Sequence, residues 1–111
     1  MTAKNYWIYI LYCTNDTFYT GYTVNLAERY AAHLNGTSRC KYTRSFKPLG
    51  IAQCWKISGT RGLAMRIERH IKKLPRIKKT QYISEPGLLA QLFPTIPVAK
   101  KVLKKIADLS R

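Results

Sequence analysis

Residues 6–13 read YWIYILYC, aromatic or aliphatic at nearly every position. A half-solvated strand alternates apolar and polar side chains, so an unbroken run of β-branched and aromatic residues predicts a strand covered on both faces. After Thr14-Asn15-Asp16-Thr17, a turn-forming stretch, residues 18–23 (FYTGYT) resume the same character, which is the signal of a β-hairpin. Any fold for this chain must therefore pack something against each side of its first strand.

The period then changes. Leu26, Tyr30 and Leu34 recur at helical spacing, with Asn25 placed to cap the start and Gly36 to end it, predicting a helix over 25–35. Residues 36–48 are polar, basic and broken by Gly36 and Pro48, and read as a loop carrying Arg39, Lys41, Arg44 and Lys47. Residues 49–57 (LGIAQCWKI) read as a third strand. Leu63, Ala64, Ile67, Ile71 and Leu74 mark a second helix, stopped by Pro75. A short helical piece is expected over 76–83. From about Pro97 an amphipathic basic helix sets Val98, Val102, Ile106 and Leu109 on one face and Lys100, Lys101, Lys104 and Lys105 elsewhere. The expected fold class is α+β: a small, mainly antiparallel three-stranded sheet with flanking helices in the order β-β-α-β-α, plus a C-terminal helical tail. Residues 1–85 would form the domain, and 86–111 a basic helical extension packed on it.

Charge says more about function than size does. The 111 residues carry 20 Lys and Arg against 5 Asp and Glu, a net charge of +15. Such a field is costly without a polyanionic neighbour, and nucleic acid is the first expectation. A lipid surface would rest on the tail helix alone, and no stretch reaches the roughly 18 apolar residues needed to span a bilayer. The first strand is followed by Asn15-Asp16 instead of the small-residue cleavage site of a signal peptide. Three cysteines (Cys13, Cys40, Cys54) with no C-x-x-C spacing fit neither a disulfide framework nor a structural zinc site, and read as reduced thiols in a cytoplasm.

With five acids in the chain, a two-metal site built from converging carboxylates is excluded. Glu68, in RIERHIKK, sits at the edge of the second helix's apolar face. It has two readings: an i,i+4 pair with Lys72, or the one carboxylate that, with substrate phosphate and water, holds a single Mg²⁺. Arg29 and His33 lie one turn apart beside Leu26 and Tyr30, either as side chains snorkelling from the rim of the core or as a phosphate-neutralising arginine beside a proton-transferring histidine. Six of the eight tyrosines fall within the first thirty residues. A tyrosine acts as a base only if neighbouring cations pull its pKa down.

Taken in order, Ile8-Tyr9, Tyr19-Thr20-Gly21, Leu26-x-x-Arg29-x-x-x-His33, Lys41-Tyr42-Thr43 and Glu68 resemble the GIY-YIG nuclease superfamily over roughly residues 5–80, and most of all its small stand-alone bacterial members. The two triplets read Trp7-Ile8-Tyr9 and Tyr19-Thr20-Gly21, and no Asn follows Asn35 where homing-endonuclease relatives often carry one. The resemblance implies a metal-dependent endonuclease acting on nucleic acid, with DNA favoured over RNA, in repair or processing. Tyr9 and Tyr19 would line the site, Arg29 bind phosphate, Glu68 ligate one Mg²⁺ or Mn²⁺, and His33 serve as base or phosphate contact. Tyr9, Tyr19 or His33 would take the proton from the attacking water. Arg39, Lys41, Arg44 and Lys72 would bind the nucleic acid. So small a domain leaves specificity to a protein partner or to a structured substrate, and the sequence does not fix the oligomeric state. The alternative is a nucleic-acid-binding module that keeps the fold without the chemistry.

The resemblance makes a geometric demand. An even turn pairing Cys13 with Phe18 puts Tyr9 and Tyr19 on opposite faces of the hairpin, because side chains alternate along a strand. A shared site therefore predicts a three-residue loop or a bulge within 13–20.

Overall fold

The computed structural model describes residues 3–37 and 40–110. Four strands form one antiparallel sheet: β1 (Lys4–Cys13), β2 (Phe18–Thr23), β3 (Pro48–Gly59) and the two-residue β4 (Ile96–Pro97), in the order β2-β1-β3-β4. The helices are α1 (Leu26–Asn35), α2 (Lys41–Ser45), α3 (Arg61–Lys72), α4 (Arg76–Ser84) and α5 (Lys100–Leu109), with a 3₁₀ helix over Pro86–Gln91. The α+β class and the antiparallel sheet match the sequence reading, and the sheet has four strands instead of three. A two-residue strand containing a proline has no periodicity to read, and β4 sits at an edge, where a missing N–H is tolerated.

β1 is interior to the sheet, and helices cover both of its faces. Tyr6, Ile8 and Ile10 pack with Trp55, Ile57, Ala64, Ile67, Ile71 and Leu89. The alternate residues Tyr9, Leu11 and Cys13 pack with Leu26 and Tyr30 of α1, Cys54, and Leu103 and Ala107 of α5. Two hydrophobic layers thus share one strand, and β1 is apolar from Tyr6 to Cys13 for that reason. Caps fix both ends of α1 and the start of α3. Asn25 accepts from the Glu28 N–H at the start of α1, Gly36 closes it in the left-handed conformation (φ 65°), and Thr60 accepts from the Leu63 N–H at the start of α3.

The hairpin turn meets the geometric demand. The Cys13 N–H donates to the Thr17 carbonyl (2.9 Å) and the Asp16 N–H to the Cys13 carbonyl (3.0 Å), leaving the three-residue turn Thr14-Asn15-Asp16 with Asp16 left-handed at φ 59°. Asp16 is fixed there by the Tyr12 hydroxyl (2.6 Å) and by Arg76, whose guanidinium also lies over the Phe18 ring. The Tyr12 hydrogen bond and the Arg76 charge hold the Asp16 carboxyl below its ordinary pKa. The odd turn pairs Tyr9 with Gly21 and Leu11 with Tyr19, so Tyr9 and Tyr19 share a face.

Three expectations differ from the structure. Part of the 36–48 loop is the one-turn helix α2, too short to show a period. Of the expected apolar face, Val98 and Ile106 pack on the core, where Leu103 and Ala107 are the buried residues of α5, whereas Leu109 is 77% exposed and Val102 is exposed. Val98 precedes the helix, its N–H donating to the Cys54 carbonyl (2.9 Å), so it does not set the helical phase. Nor is Lys100 a solvated lysine: its ammonium donates to the Ala52 and Ile83 carbonyls (2.9 Å each) and to Gln53 Oε1, joining α5 to β3 and α4.

Gly21 is required sterically. A Cβ there would meet the Tyr9 hydroxyl and lie 2.7 Å from Tyr9 Cζ, in a ring that is 2% exposed and cannot swing away. Gly21→Ala is expected to cost about 1–3 kcal/mol of unfolding free energy, as overpacking does. In a Tyr9→Ala background the same change should cost almost nothing, and equal costs in both backgrounds, measured by denaturant unfolding, would contradict this packing.

Candidate active site

β2 is an edge strand, and the cleft that concerns function lies across it. Tyr9, Tyr19, Gly21, Tyr22, Thr23, Arg29 and Glu68 line a space of about 340 Å³. Tyr9 and Tyr19 reach it from the shared hairpin face, Arg29 from α1 and Glu68 from α3. The absence of a side chain at Gly21 leaves room for the Tyr9 phenol between them.

Behind the cleft runs a chain of buried hydrogen bonds. The Thr43 hydroxyl donates to the Cys40 carbonyl (3.3 Å) and therefore accepts from His33 Nδ1 (2.8 Å). This places the imidazole proton on Nδ1 and leaves the Nε2 lone pair to accept from the Tyr9 hydroxyl (2.8 Å). Tyr19 packs edge-on against the same imidazole, with ring centroids 5.2 Å apart. Tyr9 and the Arg29 guanidinium are hydrogen-bonded, so the phenol oxygen is tied to a cation on one side and a base on the other.

Burial and charge set the protonation states. Burial first, and then the Arg29 charge, hold His33 down to about 4, so the imidazole is neutral near pH 7. Burial also pushes the Tyr9 phenol well above its ordinary range, more than Arg29 pulls it down. The expectation that neighbouring cations make Tyr9 acidic therefore fails, because desolvation of a phenolate outweighs one guanidinium. His33 is wholly buried, so among its expected roles direct contact with phosphate does not fit, and the cleft reaches its ring through Tyr9.

Glu68 makes the expected i,i+4 pair with Lys72, and that pair does not take it away from the cleft. Its carboxylate lines the cleft at 20% side-chain exposure and pairs with Lys72 at 3.4 Å, and Lys72 Nζ lies 6.0 Å from the Tyr19 ring centroid. The other groups facing the cleft are hydroxyls and a guanidinium, so Glu68 is the one anionic oxygen donor among the residues that line it. Among the described residues no three His, Cys, Asp or Glu side chains converge, so Glu68 would supply the protein carboxylate and the other positions would fall to phosphate and water.

The basic residues do not all gather here. Lys72 does, and Lys41 lines a neighbouring hollow with Tyr19, Tyr42, Ser45 and Phe46. Arg44 lies against Gly36, while Arg39 lies outside the described residues. The sequence marks Lys41-Tyr42-Thr43 as a motif, but nothing in its spacing reveals that Thr43, ten residues beyond His33, orients the imidazole.

Because the unfolded chain protonates His33 near pH 6.5 and the folded chain only near about pH 4, the unfolded state binds more protons between these values. The stability contributed by burying neutral His33 is complete above pH 6.5 and is lost as pH falls toward 4. Imidazole ¹⁵N shifts should report a neutral ring with the proton on Nδ1 down to about pH 4; a ring titrating near 6.5 would contradict the hydrogen-bond chain.

The family model described as the GIY-YIG catalytic domain matches residues 5–81. A UPF0213 protein of Syntrophus aciditrophicus is 39% identical over 83 residues, which cover 75% of this chain and 93% of that protein. A UPF0213 protein of Natronomonas pharaonis is 35% identical over 83 residues, covering 75% and 95%. The solution NMR structure of the UPF0213 protein BH0048 from Bacillus halodurans is 37% identical, covers 75% of this chain and 86% of its own, and superposes with a TM-score of 0.47. The span matched by the family model contains the whole cleft, from Tyr9 to Glu68, and the chain belongs to the GIY-YIG family.

Proposed function

We propose that this chain is a metal-assisted endonuclease that hydrolyses phosphodiester bonds in nucleic acid, with DNA as its substrate, in the cytoplasm. The observation that carries this reading is the meeting of Arg29, Tyr9, Tyr19 and Glu68 in one cleft, backed by a neutral histidine able to receive a proton. Family membership suggests nuclease chemistry. The net charge of +15 suits a polyanion, and three buried free thiols accord with a reducing compartment. Among the described residues no helix is long and apolar enough to cross a membrane.

Glu68 would hold one divalent cation, Mg²⁺ or Mn²⁺, which supplies Lewis-acid neutralisation of phosphoryl and leaving-group oxygens. Arg29 binds the scissile phosphate and offsets the charge that grows on its oxygens as water attacks in line. The water proton passes to the Tyr9 oxygen while Tyr9 passes its own proton to His33 Nε2, so no free phenolate forms. Thr43 is the positioning residue, keeping the Nε2 lone pair turned to Tyr9. Arg29 links the two halves of this scheme. Its charge depresses His33, and a phosphate bound to Arg29 cancels that charge, so the imidazole gains basicity when substrate arrives. Tyr19 walls the cleft and packs on His33. Residues 86–111 act as an extension bracing the domain, through the Trp55 Nε1–H donated to the Pro86 carbonyl and through the Lys100 ammonium.

The Glu68–Lys72 pair also serves a binding module without chemistry, and one experiment separates the two. Cleavage of labelled DNA at low salt should require Mg²⁺ or Mn²⁺ and fall by about 10² or more in Glu68→Ala and in Arg29→Ala, with both variants folded. Tight binding without cutting, strengthened by Glu68→Ala, would replace the nuclease with the binding module.

A further inference from the structure

Tyr19 has a second environment besides the cleft. Its ring stacks on Tyr42 with centroids 5.5 Å apart and planes at 23°, and Tyr42 in turn meets Phe46 at 5.2 Å, so rings from β2, from α2 and from the residue just after α2 adjoin one another. They line an open hollow of about 460 Å³ with Lys41 and Ser45, and Phe46 is 37% exposed in it. The rings are held in place and are not a loose surface cluster. The Tyr42 hydroxyl closes a ring of hydrogen bonds with the hairpin turn: Thr17 donates to Asn15 Oδ1, Asn15 Nδ2 donates to the Tyr42 oxygen at 3.1 Å, and Tyr42 donates to Thr17. The same turn is pinned from its far side by Arg76.

The geometry points to a base-stacking subsite at Tyr42 and Phe46, next to the cleft, that takes an unpaired nucleotide flanking the scissile phosphate. Three observations carry it. First, the hollow and the cleft share Tyr19, so a strand with its phosphate at Arg29 continues onto the rings. Second, the approach is cationic, with Lys41 lining the hollow and Lys72 over Tyr19, as a polyanionic backbone requires. Third, an aromatic face binds a base only if that base is not already stacked between neighbours, which selects single strands, flaps or loops over intact duplex. An apolar peptide would use the rings but offer no anion to Lys41. The inference rests on the nucleic-acid reading above and not on hydrolysis.

The test is binding in the presence of chelator, so that cleavage plays no part. Three probes are compared: a hairpin duplex with a short unpaired tail, the same duplex with an abasic tail that keeps every phosphate, and the blunt duplex. The protein should bind the base-bearing tail roughly tenfold tighter than the abasic one. Phe46→Leu, which keeps an apolar side chain but no ring, should abolish that difference while leaving blunt-duplex binding unchanged, and Phe46→Trp should restore it. Equal affinity for the two tails in the unaltered protein, or a Phe46→Leu loss that falls equally on all three probes, overturns the subsite. An inactive but tail-selective protein would overturn the nuclease and leave the subsite standing.

Discussion

The Tyr9 phenol crosses its neighbouring strand at the only kind of residue that admits it. In the register observed, Tyr9 faces Gly21, and a Cβ at that position would meet the phenol ring and its hydroxyl. Two things must hold together for this. The turn must be odd, which a left-handed Asp16 provides, and the residue opposite must be glycine. Shifting the register by one residue would send Tyr19 to the α3 side of the sheet and move Gly21 off Tyr9. No cleft with both tyrosines would then exist. The bonds of Asp16 to Tyr12 and Arg76, far from the proposed chemistry, therefore serve it by fixing the turn.

From that register follows an electrostatic arrangement in which no single group is unusual and the combination is. A buried neutral histidine is a poor base while a guanidinium stands nearby, and a buried phenol is a poor acid. Joined by a 2.8 Å hydrogen bond, they need not ionise separately, because a proton entering at the phenol oxygen leaves at Nε2. In the proposed scheme Arg29 keeps this relay idle until an anion occupies the cleft, which ties proton acceptance to the presence of phosphate.

Much of this could be read in the chain. The continuous apolar run at 6–13 announced a strand buried on both faces, and the Asn25 and Gly36 caps marked α1 to within a residue. The triplets and their spacing pointed to Tyr9, Tyr19, Arg29 and Glu68, which the cleft gathers. The need for an odd turn follows from strand alternation once the resemblance requires Tyr9 and Tyr19 to share a face. What could not be read has physical reasons. β4 has two residues and α2 five, too few for a period to repeat. The phase of α5 depends on where its first turn starts, and no propensity fixes that. The fall of His33 and the rise of Tyr9 come from desolvation, which depends on what covers a group more than on its neighbours in sequence. Tyr42 and Thr43 stand in the sequence only as part of the Lys41-Tyr42-Thr43 motif and Phe46 only as part of a polar, basic stretch, since their roles arise from contacts across the fold.

The central claim is that a proton from the attacking water reaches His33 through Tyr9, and Thr43→Val tests it most directly because Thr43 does not line the cleft. The pH dependence of single-turnover cleavage should be measured for this variant beside the unaltered protein. The account predicts metal-dependent cleavage whose rate falls by one or more orders of magnitude in Thr43→Val, with oligonucleotide affinity unchanged and the pH profile displaced, since the imidazole loses the acceptor that orients it. An unchanged rate and profile in Thr43→Val, or no cleavage by the unaltered protein, would contradict it.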